Sequence, residues 1–284
     1  AEYSQDPDVE YAEPDYIVEV DFIPNDSYFN ANQWNLHNTG QTGGTTDADI
    51  DGPEAWDITT GNSSAVIAIV DTGIELSHTD LSGKILAGYD FVNNDSDPSD
   101  DNGHGTLVAG VAAANSNNGT GIAGVCWNCL IMPVKVIGAG GTGTSSNVAN
   151  GIIYAVDNGA DVINLSLGGS YSTTEYNAIL YAYNAGRIIV AGTGNDSAET
   201  VRYPAGYKES IAVGATDHND ARASYSNYGY NIDVVAPGDN IISTYFSYYG
   251  GYGLVSGTSM ATPHVAGLAG LILSRNPSYN PDQV

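Results

Sequence analysis

Four short segments of this chain carry side chains able to do covalent chemistry. Asp71 stands in Asp-Thr-Gly directly after the apolar run Ala65 to Val70. The strand's end places this acid at the functional edge of the sheet. A proton-sharing carboxylate pair would use the same tripeptide twice, and the chain holds one copy. His104 lies in Asn-Gly-His-Gly-Thr, ahead of a run of small and apolar residues, and its flanking glycines allow a close approach of backbone to a ligand. Ser259 lies in Gly-Thr-Ser-Met-Ala-Thr-Pro, where a long Ala/Gly/Leu helix begins. A serine in that place is ordinarily a cap. The same helix end, with free N–H groups and a positive dipole, also suits a developing oxyanion. Asn195, in Ala-Gly-Thr-Gly-Asn-Asp, is a turn residue taken alone and an amide donor for an oxyanion taken with the other three. His37, His78, His218 and His264 lack any such setting.

The elements that must position these residues follow from the apolar pattern. Strand-like runs are Ala65 to Val70, Leu130 to Ile137, Asp161 to Leu167, Arg187 to Ala191, Ser210 to Ala215 and Asn231 to Val235, with one more at Asp15 to Val20. Helical patterns are Pro53 to Asp57, Leu107 to Ala114, Ser146 to Asn158, Thr173 to Ala185 and Ser259 to Ser274. Near-continuous apolar strands alternating with helices predict an α/β fold, three-layered, with a mostly parallel central sheet covered on both faces. Ligands of such sheets bind beyond the carboxyl ends of the strands, which is where Asp71 and Asn195 fall. The run Gly138 to Gly143 satisfies G-x-G-x-x-G and follows a strand, so a dinucleotide site is the rival reading of that loop.

Composition narrows the partners. The 284 residues include 33 acidic and 7 basic side chains, a formal charge of −26. Such a surface repels phosphate backbones and argues against nucleic acid. No apolar run reaches the roughly 18 residues that a membrane helix needs, and residues 1–20 carry no basic and apolar leader pattern. Only 14% of residues are charged, with 35 Gly and 20 Tyr, a composition that resembles exported hydrolases. The two cysteines stand in Cys126-Trp-Asn-Cys129. No second pair is present to complete a four-ligand zinc site, and a local disulfide, free thiols and redox chemistry stay open.

Taken together, Asp71-Thr-Gly, His104-Gly-Thr, Asn195 and Gly257-Thr-Ser259-Met-Ala-Thr-Pro resemble the subtilases, most closely the thermitase-like and subtilisin-like branch, from about Asn25 to the last residue. The resemblance implies a subtilisin-like fold and a secreted serine endopeptidase of broad specificity. Ser259 would be the nucleophile, His104 the general base, Asp71 its orienting acid and Asn195 an oxyanion donor. Gly141-Thr142-Gly143 and Ser166-Leu167-Gly168 would pair with an extended peptide, which removes the dinucleotide reading of the glycine run. Leu107 departs from the second histidine that many members carry.

The same resemblance implies structural calcium. A tight site would use Asp26, Asp80 and Asn118 with the carbonyls of Asn115, Thr120 and Ile122. A second would use Asp90, Asp95 and Asp97, with Asn93 in place of an acid. A third would use Asp233 with the carbonyls of Ala205 and Tyr207. It further implies a propeptide tail over residues 1–22, a catalytic domain over 23–284 shortened at its C-terminal end, a monomer, and protein or peptide substrates besides its own propeptide. Arg202 would sit at the base of the pocket for the residue before the cut. It would either point inward and favour acidic side chains, or turn out and pair with Asp196 or Glu199.

Overall fold

The computed structural model describes residues 22–284. The expected strand Asp15 to Val20 and nearly all of the expected propeptide tail lie outside the described residues.

The apolar runs form strands because β-branched side chains pack well on a pleated surface buried on both sides. These are β1 (Val66–Asp71), β2 (Tyr89–Asp90), β3 (Leu130–Lys135), β4 (Val162–Leu165), β5 (Ile188–Gly192), β6 (Ile211–Thr216) and β7 (Val234–Pro237). All pair in parallel in one seven-stranded sheet, in the order β2-β3-β1-β4-β5-β6-β7. The helices are α1 (Phe29–Asn32), α2 (Gly52–Ile58), α3 (His104–Ala113), α4 (Ser145–Asp157), α5 (Thr173–Asn184) and α6 (Thr258–Arg275). Alternation along β1 feeds both cores. Ile67 and Ile69 pack with Val108 and Ala112 of α3 and Met260 and Ala266 of α6. Ala68 and Val70 pack with Val148 and Ile152 of α4 and Ala178 and Ile179 of α5. The expected three-layer α/β fold is therefore what the chain adopts.

The structure departs from the pattern in several places, among them α1 and β2, which the pattern did not predict. The strand expected at Asn231 starts at Val234. A hairpin of β8 (Ile241–Thr244) and β9 (Tyr252–Val255) was hidden. Its buried Ser243 and Thr244 are polar, yet they donate to Leu107 O at 2.6 Å and Thr106 O at 2.7 Å on α3. A strand whose buried face is satisfied by hydrogen bonds to a helix leaves no apolar alternation to read.

Cys126 and Cys129 are joined as a disulfide, and both are buried. Gly61, at φ +80°, lies against it so closely that an added Cβ would run into Cys126 Sγ. Gly61→Ala is expected to cost about 2–4 kcal/mol, from left-handed strain and overpacking together. Calorimetry should show the melting temperature falling by several degrees, whereas an unchanged Tm would mean this contact relaxes freely. Titration of denatured, unreduced protein should find no free thiol.

Candidate active site

Asp71 is the last residue of β1 and 1% exposed. Across the sheet its register partner is Lys135, whose buried ammonium donates to Thr72 O at 2.7 Å, Ile137 O at 3.0 Å and Asp101 at 2.5 Å. This lysine ties the loop after β1 to the end of β3. Asp71 Oδ1 accepts from Thr72 N at 2.7 Å and lies 2.7 Å from His104 Nδ1, so the imidazole carries its proton on Nδ1 and leaves Nε2 to face the cleft.

His104 opens α3, after Gly103 at φ +101°. The flanking glycines prove to admit the protein's own chain. A Cβ on Gly105 would run into Gly73 O, and one on Gly103 into the Tyr245 ring. Asp100, which the sequence reading passed over, builds the helix start. It accepts from Thr72 Oγ1, Asn102 N, Gly103 N, Thr106 N and Thr106 Oγ1 at 2.6 to 3.0 Å. An acid just upstream of a helix that lacks a capping side chain was the available signal. Burial opposes charging of His104, but the Asp71 carboxylate, through charge and hydrogen bond, together with Asp100, outweighs it and holds the imidazole pKa above 6.5.

Ser259 is the second residue of α6, and that helix begins at Gly257 with no side-chain cap, which removes the capping reading. Its hydroxyl donates to Ser166 O at 3.1 Å, while Ser166 Oγ returns a bond to Ser259 O at 2.8 Å. Asn195 follows β5. Its Oδ1 accepts from Thr258 N at 2.9 Å and Thr258 Oγ1 at 3.0 Å, which fixes the amide plane. Its Nδ2 is thereby turned toward the Gly257–Ser259 turn, 3.4 Å from where a Gly257 Cβ would stand. His264, by contrast, is a core residue. Its Nδ1 donates to Met260 O at 2.8 Å, its Nε2 lies 2.7 Å from Asn35 Nδ2, and burial pushes its pKa down to about 4.

Two hollows flank a shared strip, Ser166 to Gly168, which leaves β4 and pairs with no strand. One, of about 390 Å³, runs along Asp71, His104 and Gly141 to Gly143. The other, of about 210 Å³, is lined by Asn195, Arg202, Thr258 and Ser259. Between them the two hollows are lined by every residue expected to be catalytic or peptide-binding, Asp71 and His104 in one and Asn195 and Ser259 in the other. Of the two readings of Arg202 it takes the second. The guanidinium forms a two-pronged pair with Asp196, both bonds at 2.6 Å, and the inward-pointing alternative is set aside. Asp196 lines the same hollow and supplies the counter-charge there, and the pair stays half exposed, so neither charge bears the full cost of burial.

The cation sites fare unequally. Asp26 and Asp80 are 3% and 0% exposed, and burial raises the pKa of both, with Asp26 adding to the rise at Asp80. Asn118 Nδ2 lies 2.8 Å from Asp80 Oδ1 and 3.4 Å from Asn115 O, and Asn118 Oδ1 accepts from Thr120 N. Asp80 Oδ2 accepts from Ile122 N. Among the described residues neither buried carboxylate has a paired base, and the expected donors are all oxygens, as a hard cation requires, although the Asn118 amide here turns its Nδ2 rather than its oxygen to Asp80. Asp90, Asp95 and Asp97 instead make local turn bonds, to Val92 and Asn93, to Asp97 N and to Ser99. Among the described residues no group of three His, Cys, Asp or Glu side chains gathers as a metal site. Asp233 is exposed and accepts from Ala212 N, and Tyr207 O accepts from Ser210 N. The three aspartates of the second expected cation site therefore do not gather, and the Asp233 carboxylate of the third is engaged by Ala212 N.

Comparison with known proteins agrees with the geometry. The subtilase family profile matches residues 62–284. The thermophilic serine proteinase of Bacillus sp. (strain AK1) is 50% identical over 273 residues, which are 96% of this chain and 65% of that protein. Thermitase of Thermoactinomyces vulgaris is 49% identical over 258 residues, 90% of this chain and 88% of that one. A solved protease structure from Pseudoalteromonas arctica PAMC 21717 superposes with a TM-score of 0.81 at 38% identity, covering 91% of this chain and 89% of the other. A sheet that ends in Asp71, a helix that starts at His104 and another that presents Ser259 beside Asn195 place this chain in the subtilase family of subtilisin-like serine peptidases.

Proposed function

We propose that this chain is a secreted, calcium-stabilised serine endopeptidase of broad specificity, working through an acyl-enzyme. The observation that carries the reading is the 2.7 Å contact between His104 Nδ1 and Asp71, set across the cleft strip from a Ser259 that caps nothing. Rotation of the Ser259 hydroxyl from Ser166 O to His104 Nε2 readies it for attack on a peptide carbonyl. His104 takes the proton and later passes it to the leaving amine, while Asp71 stabilises the imidazolium. Asn195 Nδ2 and the Ser259 N–H, at the helix start, receive the oxyanion. An extended substrate lies against Gly141 to Gly143 and Ser166 to Gly168 and places one side chain in the Asn195–Arg202 hollow. Casein digestion, and a burst with an active ester that a serine-directed covalent inhibitor abolishes, tests this reading; digestion that survives full labelling would overturn it.

Export is supported by the buried disulfide, since such bonds persist in oxidising compartments, and by a relative named as a cell wall-associated protease. Among the described residues no helix is long and apolar enough to cross a membrane.

Asp26, Asp80 and Asn118, with the carbonyls of Asn115, Thr120 and Ile122, would hold a calcium ion, which would supply the positive charge that these buried carboxylates lack. A ligand present at 100 times its Kd adds about 2.7 kcal/mol to stability. The melting temperature in excess Ca²⁺ is therefore expected to exceed that in EDTA by several degrees, and Asp80→Asn should shrink the gap. Equal values in both media would remove structural calcium.

A further inference from the structure

Glu175 sits in the first turn of α5, behind the N-cap Ser172, whose Oγ accepts from Glu175 N at 3.4 Å. In a Ser-x-x-Glu turn the glutamate ordinarily folds back onto the N–H of the cap residue. Here that N–H is taken. Ser172 N donates to the Tyr207 hydroxyl at 3.1 Å, and the same hydroxyl donates to Ser172 O at 2.9 Å. Displaced from the cap, the Glu175 side chain turns into the cleft that runs past Asp71 and His104, beside Val148, Leu167 and Gly169. Glu175 is 5% exposed, and its Oε1 is buried without a hydrogen-bond partner. No basic side chain among the described residues pairs with it. Lys208, close in sequence to Tyr207, is turned to Glu209 at 3.5 Å. Burial pushes the Glu175 carboxyl up to about 7.

An orphaned carboxyl inside an apolar wall is costly to the free protein. The cost is relieved when a ligand brings its own cation, and the strongest bond a carboxylate can make is to ammonium or guanidinium. We propose that Glu175 is a specificity-determining residue that binds a Lys or Arg side chain of the peptide substrate, upstream of the side chain held in the Asn195–Arg202 hollow. The inference rests on reading this cleft as the peptide-binding site. The general acidity of the surface attracts basic peptides to every part of the molecule. Glu175 differs in being buried and unpaired, so it discriminates by position along the peptide.

The test uses internally quenched peptides that differ only by Lys or Leu at each of three successive upstream positions. The readout is the Lys/Leu ratio of kcat/KM within each enzyme, for the wild type, Glu175→Gln and Glu175→Leu. A charge-assisted bond of ordinary strength predicts a ratio of roughly tenfold or more at one position for the wild type. In both variants that ratio should fall to within about threefold of unity. Because the ratio is internal to each enzyme, a general loss of stability or turnover does not mimic the result, and either variant suffices if the other fails to fold. A wild type without a Lys preference at any position, or a Glu175→Gln variant that keeps it, overturns the proposal. Failure of the wild type to hydrolyse an active ester would instead reject the peptidase reading itself.

Discussion

Replacing Ser259 by Ala is expected to lower kcat on a peptide substrate about 10⁶-fold, a size carried over from subtilisin, a member of the same family, rather than derived from this geometry. The fold should survive. The Ser259 hydroxyl makes a single hydrogen bond, to Ser166 O, and does not cap α6. Loss of one neutral bond costs about 1 kcal/mol, too little to unfold a domain with two well-packed cores. Circular dichroism and melting temperature should therefore stay close to those of the wild type while activity vanishes. Mass spectrometry should find the serine-directed inhibitor attached to wild type and absent from the variant. Retention of a tenth or more of the wild-type activity would exclude Ser259 as the nucleophile.

Asp71→Asn is expected to lower kcat about 10⁴-fold, again a size carried over from triad enzymes, subtilisin among them. Asp71 Oδ1 faces His104 Nδ1 at 2.7 Å and selects the tautomer that leaves Nε2 able to accept a proton. An amide can donate to Nδ1 instead, which places the proton on the wrong nitrogen. The pH profile gives a second readout. The Asp71 charge and hydrogen bond overcome burial to hold the His104 pKa above 6.5. The general base must be neutral, so wild-type kcat/KM should fall as pH drops through a midpoint above 6.5. In Asp71→Asn the two largest raising causes are removed, leaving burial opposed only by the Asp100 charge, so the acid limb of the residual activity should move to lower pH. An acid limb at the same pH in both enzymes would mean that Asp71 does not act on His104.

Much of the architecture was legible because it depends on local pattern. A strand buried on both faces must be apolar along its whole length, as Val66 to Val70 are, and alternation with helices then forces parallel pairing. The limits of β4, β5 and β6 shift by only a few residues from the apolar runs. The β8–β9 hairpin was not legible, since Ser243 and Thr244 are buried by hydrogen bonding to α3 and not by apolarity. The cystine shows a middle case. Spacing allowed Cys126 and Cys129 to bond, but only the burial of both sulfurs beneath Gly61 and Gly270 shows them as part of the core.

By itself the sequence pointed to the side chains proposed to carry the chemistry. Asp71, His104, Asn195 and Ser259 each stand at the end of an element whose type is set by neighbouring residues, and a strand's carboxyl end and a helix's amino end meet at one edge of a parallel sheet. Tertiary structure alone decided where the remaining charges went. Arg202 turns to Asp196, which the fold sets at the rim of the same hollow, and the pair stays in contact with solvent. Asp26 and Asp80, distant in sequence, are buried side by side. Glu175 has the sequence of a capping residue, yet Tyr207, 35 positions from Ser172, takes the cap's N–H and sends the carboxyl into the cleft. Local propensity places a residue on an element, but the partner of a polar group is whatever the fold brings within about 3 Å.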